Sequence, residues 1–250
     1  MNASPSRGKT LAFRILAIVF GLVVILPGVY FAVVSLVSSD PIEQSHRVHT
    51  IGGLWGIGVT GAVLLTFAIR PSSVNAFQAG LVASIGMVVI GLVAGDLLSG
   101  AWFVGLIATV VLYLLHPHRS EALSFSGRPS AVLIGLGVIA LFPTGAYCLT
   151  MADLQGGPAI DPHVELHHWS GMAVAGLSIV LVGIVVGLRT KGWRTTAWLT
   201  AGAGVLFGLT SVIYPDHAGA LESPWSWLAI AWSVVFALAA AANERDEGAT

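Results

Sequence analysis

The chain has 250 residues, of which 56% are hydrophobic and 9% charged, with 30 glycines and a mean hydropathy of +0.87. Soluble domains carry roughly 25% charged residues, so this composition excludes an ordinary soluble domain, a disordered chain and a nucleic-acid binder. It describes an all-α, polytopic membrane protein whose first partner is the lipid bilayer.

A bilayer core of about 30 Å takes roughly 20 apolar residues per helix. Eight such stretches run along the chain, at 11–38, 46–69, 76–95, 98–115, 130–151, 164–188, 195–213 and 224–242. Asp, Glu, Lys and Arg stand at their ends and in the loops. Helix 1 carries Pro27 and is longer than the roughly 7–15 apolar residues of a signal peptide, so it reads as a retained span. Helix 2 opens with Asp40-Pro41, an N-cap followed by proline at the first helical position, and Glu43 stands at capping-box spacing. His46 and His49 follow at steps of three, so neighbours in this series share a helix face.

Helix 3 contains Gly91, with Gly95 four residues on, and is followed by Asp96 and a tight turn into helix 4. His116 and His118 flank Pro117 in the next loop and read as solvated residues. Helix 5 holds Pro143 and the only cysteine, Cys148, which reads as a buried small residue. A lone cysteine excludes an intramolecular disulfide, a CxxC redox pair and a multi-cysteine zinc site. Helix 6 is opened by Asp161-Pro162, with His163, His167 and His168 around its start. Gly204 and Gly208 in helix 7 have the spacing that lets helices approach closely. Asp216 and His217 lie between helices 7 and 8. The longest loops, 116–129 and 152–162, are too short to bury a separate core.

Charge sorts the loops into two sides. One holds ten of the eleven basic residues with four acids; the other holds eight acids with Arg47 alone, giving +6 against −7. The positive-inside rule makes the basic side cytoplasmic, with both termini inside; a prokaryotic-type plasma membrane is the expected location, with an organellar membrane the alternative. Six of the eight histidines fall on the acidic, external side.

An offset of 121 residues aligns Asp40-Pro41 with Asp161-Pro162, His46 with His167, and Asp96 with His217. The chain therefore reads as two parallel four-helix repeats, residues 1–115 and 130–250, joined by a cytoplasmic linker at 116–129.

Imidazoles on facing helices can hold a haem iron or a transition metal, with carboxylates as ligands or as partners that fix the imidazole tautomer. His46, His49, His167, His168 and His217 are the residues expected to bind such a cofactor, haem b or a metal ion. Interfacial histidine, aspartate and tryptophan are also at home in the headgroup zone, where Trp102, Trp169, Trp225 and Trp227 suggest an aromatic belt.

The run Glu43-Gln44-Ser45-His46-Arg47, leading into Gly52-Gly53-Leu54-Trp55-Gly56, resembles the haem A synthase family. The resemblance implies eight helices in two halves, His46 as a haem ligand, Glu43 as a catalytic acid, and His167 or His168 as the matching ligand. That family places further ligand histidines in helices 4 and 8. Neither span contains one here, and His217, just before helix 8, is the substitute that the second half offers.

A redox or cofactor-handling role is the first expectation. An intramembrane metal-dependent hydrolase is the alternative, with the metal on His163, His167 and an aspartate, Asp96 or Asp216; Val164 stands where HExxH has its glutamate. A transporter of neutral solutes and a non-catalytic subunit among other membrane proteins also stay open, so the residues leave undecided whether the chain is an enzyme.

Overall fold

Every regular element described in the chain is helical. The computed structural model describes residues 7–95, 101–116, 119–158 and 162–248; Asp96, His118, Asp161 and the side chain of Trp102 lie outside that description. In order, the helices are α1 (Arg7–Val37), α2 (Pro41–Ser45), α3 (Gly53–Ile69), α4 (Val74–Val93), α5 (Ala101–Leu115), α6 (Arg119–Ala122), α7 (Ala131–Gln155), α8 (Pro162–Glu165), α9 (His168–Gly187), α10 (Trp193–Ile213) and α11 (Trp225–Gly248). A π-helical turn, Val48–Gly52, links α2 to α3.

Six helices (α1, α4, α7, α9, α10 and α11) are long and apolar enough to cross a membrane, which makes this a multi-pass membrane protein. Helices α3 and α5 are shorter, at 17 and 15 residues, or about 25 and 22 Å. The second and sixth expected spans are both broken near their starts, so each is a short helix followed by a longer one. The linker contains the single turn α6.

Burial orders the helices into centre and rim. In α9, 78% of the most apolar window is buried, against 17% in α1 and 22% in α7 and α11. The rim helices turn Val37, Ile139, Phe142 and Leu238 outward. An apolar surface this extensive is stable in lipid and is an aggregation hazard in water.

The helix pairings repeat. Helix α1 packs on α3 as α7 packs on α9, and α4 on α5 as α10 on α11; across the middle, α4 meets α9 and α3 meets both α9 and α10. Small residues set the approach. A Cβ on Gly61 would lie 2.5 Å from Ile25 Cγ1 of α1, and one on Gly187 would lie 2.6 Å from Ile134 Cγ1 of α7. Gly204 and Gly208 face Ser233, Ser226 and Ile230 of α11, which is the close packing their spacing predicts. Gly95 differs from expectation. It lies past the end of α4 at φ +67, with nothing within 4 Å of an added Cβ among the described residues, so it ends the helix rather than packing on a neighbour.

At the end carrying Arg70, Arg189, Lys191 and Arg194, buried amides cross-link the halves. Asn75 Nδ2 donates to Val185 O (3.0 Å) and to Thr190 Oγ1 (3.1 Å), Thr190 Oγ1 donates to Gln78 Oε1 (2.7 Å), and Gln78 Nε2 donates to Ser124 O (2.8 Å). Near the same end, His116 corrects the reading of a solvated loop residue. It is 4% exposed, and its ring stands 5.1 Å from Phe13, 6.0 Å from Phe77 and 6.3 Å from Phe67. Its apolar neighbours come from α1, α3 and α4, which local sequence cannot reveal. Cys148 is buried as expected, with its thiol donating to Ala173 O at 3.3 Å.

Candidate metal centre

At the opposite end, two helix breaks deliver histidines to one volume. The first begins with Asp40, whose Oδ1 accepts the Ile42 N–H at 2.9 Å as an N-cap. The capping box does not close, because the Asp40 N–H donates to Ser38 Oγ at 3.0 Å instead of to Glu43. Helix α2 stops after Ser45. The wider π-helical turn follows, with the Thr50 N–H (2.9 Å) and the Thr50 hydroxyl (3.0 Å) both donating to His46 O. Such turns are frequent at functional sites because an extra residue re-aims the side chains.

The second break lies between α8 and α9. His167 takes the left-handed backbone conformation there, at φ 56, which an L-residue adopts only where its surroundings hold it. Gln155, buried at the end of α7, holds the turn. Its Nε2 donates to Val164 O at 2.8 Å and its Oε1 accepts the Ser170 N–H at 3.2 Å. His163 and His168 are thereby set on either side of the break.

The four rings of His46, His49, His163 and His168 form one cluster. Ring centroids are 4.9 Å apart for His46–His163 and His49–His163, 5.0 Å for His46–His168 and 5.1 Å for His49–His168. The remaining pairs are 5.8 Å for His163–His168 and 6.2 Å for His46–His49. Ligand nitrogens of His46, His163 and His168 all lie within 4.8 Å of one another. Tetrahedral zinc–imidazole bonds of about 2.0–2.1 Å would need movements on the order of 1 Å to bring these three onto one ion.

His46 is already oriented. Its Nδ1–H donates to Ile42 O at 2.6 Å, so the lone pair is on Nε2, which is buried with no hydrogen-bond partner in the protein. A ring nitrogen bonded to a backbone carbonyl is the usual way a metal-binding histidine has its tautomer fixed.

A loop roofs the cluster. Gly219, at φ +80, lies so close to His49 that a Cβ there would be 3.1 Å from its Cε1. The Tyr147 hydroxyl of α7 donates to Gly219 O at 2.8 Å, and His217 Nε2–H donates to Gln44 O at 3.0 Å. Tyr147→Phe removes the first tie, at a cost of about 1 kcal/mol for a neutral hydrogen bond. Hydrogen exchange resolved by peptide is expected to show faster exchange over 214–219, with α9 unchanged.

Of the residues singled out from sequence, His46, His49, His163 and His168 come together. His217 ties the roof to α2, and His167 forms the turn beside the cluster. Glu43 is half-buried on α2, and its carboxylate makes no hydrogen bond among the described residues. Asp216 is exposed in the roof loop, and Asp96 lies outside the described residues. Trp169 corrects the aromatic-belt reading. It is 6% exposed and walls the cluster, 5.1 Å from His163 and 5.2 Å from His49. Trp225 and Trp227 are exposed, as a belt requires. Gln155 and Tyr147 escaped the sequence reading; their one signal is a polar group in an otherwise apolar span. No family model, curated protein or solved structure matches the chain.

Proposed function

We propose that this membrane protein binds one first-row transition-metal ion through His46, His163 and His168, in a redox or cofactor-handling role at the external surface. The observation that carries the reading is His46. A carbonyl fixes its tautomer and leaves Nε2 without a partner, and a ring nitrogen of His46 lies within 4.8 Å of ligand nitrogens on two other histidines. Imidazole donors suit zinc, copper, iron or nickel.

Haem b is the less favourable occupant. Axial imidazoles of a haem stand on opposite faces of a flat macrocycle that fills the space between them. Here four rings crowd one volume, with centroids 4.9 to 6.2 Å apart.

The same reading has the chain cross the plasma membrane eight times, with α3 extended by the π-helical turn and α5 a short span. Its termini are cytoplasmic, and the halves are parallel repeats. The recurrence of α1–α3 in α7–α9, and of α4–α5 in α10–α11, supports the repeat. The gathering of Arg70, Arg189, Lys191 and Arg194 at the end away from the histidines supports the orientation.

Elemental analysis of the detergent-purified full chain, after incubation with zinc and removal of free ion, tests the reading. One equivalent per chain in the wild type, lost in His163→Ala, is expected. No bound metal across zinc, copper, nickel, cobalt and iron overturns it, and a Soret band after incubation with haem would then name haem as the occupant instead.

A further inference from the structure

Three features of the cluster bear on what the ion would do, beyond being held. The first is the donor count. Among the described residues, three histidines share the 4.8 Å group, and the His49 ring stands within 5.1 Å of both His163 and His168. Three protein ligands leave a tetrahedral ion one open position, the arrangement of catalytic rather than structural sites.

The second is charge. All three donors are neutral imidazoles, and among the described residues no carboxylate oxygen joins the group. A divalent ion there keeps its full charge in a partly buried place, where uncompensated charge is costly. A fourth ligand that is itself an anion removes that cost.

The third is a set of buried polar atoms without partners. Trp169 Nε1 and both ring nitrogens of His49 have no hydrogen-bond partner in the protein. Native interiors rarely leave donors so, and each such group asks for a bound molecule or another explanation. Both rings belong to the cluster: His49 lies 5.1 Å from His168, and Trp169 lies 5.1 Å from His163. His163 and His168 are only half-buried, so small molecules can reach the site.

We infer that the ion's fourth position is open and takes an exchangeable small anion, or the anionic oxygen of a substrate, which the Trp169 indole N–H and His49 hold by hydrogen bonds. The inference rests on the metal-binding reading above. It adds that the site is a reactive one, and it names an anion as its ligand class.

Cobalt(II) and azide test it in the purified full chain. Cobalt bound at one per chain gives a visible absorption band characteristic of four coordination, and azide should shift that band saturably. Trp169→Phe should weaken azide binding about fivefold or more, as the loss of one hydrogen bond predicts, with cobalt stoichiometry unchanged. An unmoved band at stoichiometric cobalt means a closed site. That overturns this inference and leaves the metal site standing. Failure to bind cobalt, or any other ion, removes both. Equal azide affinity in Trp169→Phe overturns the role of the indole. The wild-type titration decides the open position even if that variant fails to fold.

Discussion

His46→Ala is expected to lower metal affinity at least about a hundredfold and to abolish any metal-dependent rise in Tm. His46 supplies one of three nitrogens, and it is the one whose tautomer the backbone already fixes through Ile42 O. Loss of an outer partner of a metal ligand typically costs 10–100-fold, so loss of the ligand itself should cost at least as much. A ligand at 100 times its Kd stabilises the folded state by about 2.7 kcal/mol; that gain should vanish with the site. His217→Ala is the informative contrast. Its ring bonds Gln44 O rather than joining the three nitrogens, so its loss should loosen the roof while stoichiometric binding persists. Isothermal titration and melting curves with and without zinc check both variants. Wild-type affinity in His46→Ala would show that the three nitrogens do not act together.

A large effect on stability is expected at the α7–α9 contact. Gly187→Ala places a Cβ 2.6 Å from Ile134 Cγ1 and 2.9 Å from Ile134 N. A side chain can rotate away, but a backbone nitrogen inside α7 cannot without moving the helix. Overpacking of this kind costs roughly 1–3 kcal/mol, and Gly137→Ala should behave alike, facing Ile184 across the same contact. Gly135→Ala is the control. It lies on α7, two residues from Gly137, with nothing within 4 Å of its added Cβ. There the alanine should be neutral or stabilising by up to about 1 kcal/mol, since glycine is a poor helix former. Equal melting temperatures for the three variants would show that α7 and α9 do not need this approach.

The histidine end was legible because two local signals coincided. An Asp-Pro pair occurs twice, at Asp40-Pro41 and Asp161-Pro162, and each is followed by histidines within the next eight residues. What the chain does after those openings was not legible. A continuous helix through 46–69 would carry His46 and His49 in a fixed helical relation, and nothing in Val48–Gly52 announces a wider turn. His167 was the residue aligned with His46 by offset, yet His168 provides the nitrogen that joins His46. The left-handed turn at His167 shifts the register by one, and its cause is Gln155, twelve residues earlier on another helix. Trp169 and His116 were misread for the same reason. Both belong to residue types common at membrane surfaces, and their burial comes from helices distant in sequence. The six long spans were clear because length and hydropathy are local properties.

The amides at the basic end also bear on how the molecule is made. Helix α4 emerges from synthesis about a hundred residues before α9. Until Val185 and Thr190 arrive, the carboxamide of Asn75 has neither of its acceptors, and Gln78 lacks its donor. At the basic end these amides would bond water until α9 docks and replaces it. The first five helices therefore carry a hydrated polar patch until α9 covers it. A fragment ending at residue 115 would leave that patch uncovered, because Val185, Thr190 and Ser124 all lie beyond it.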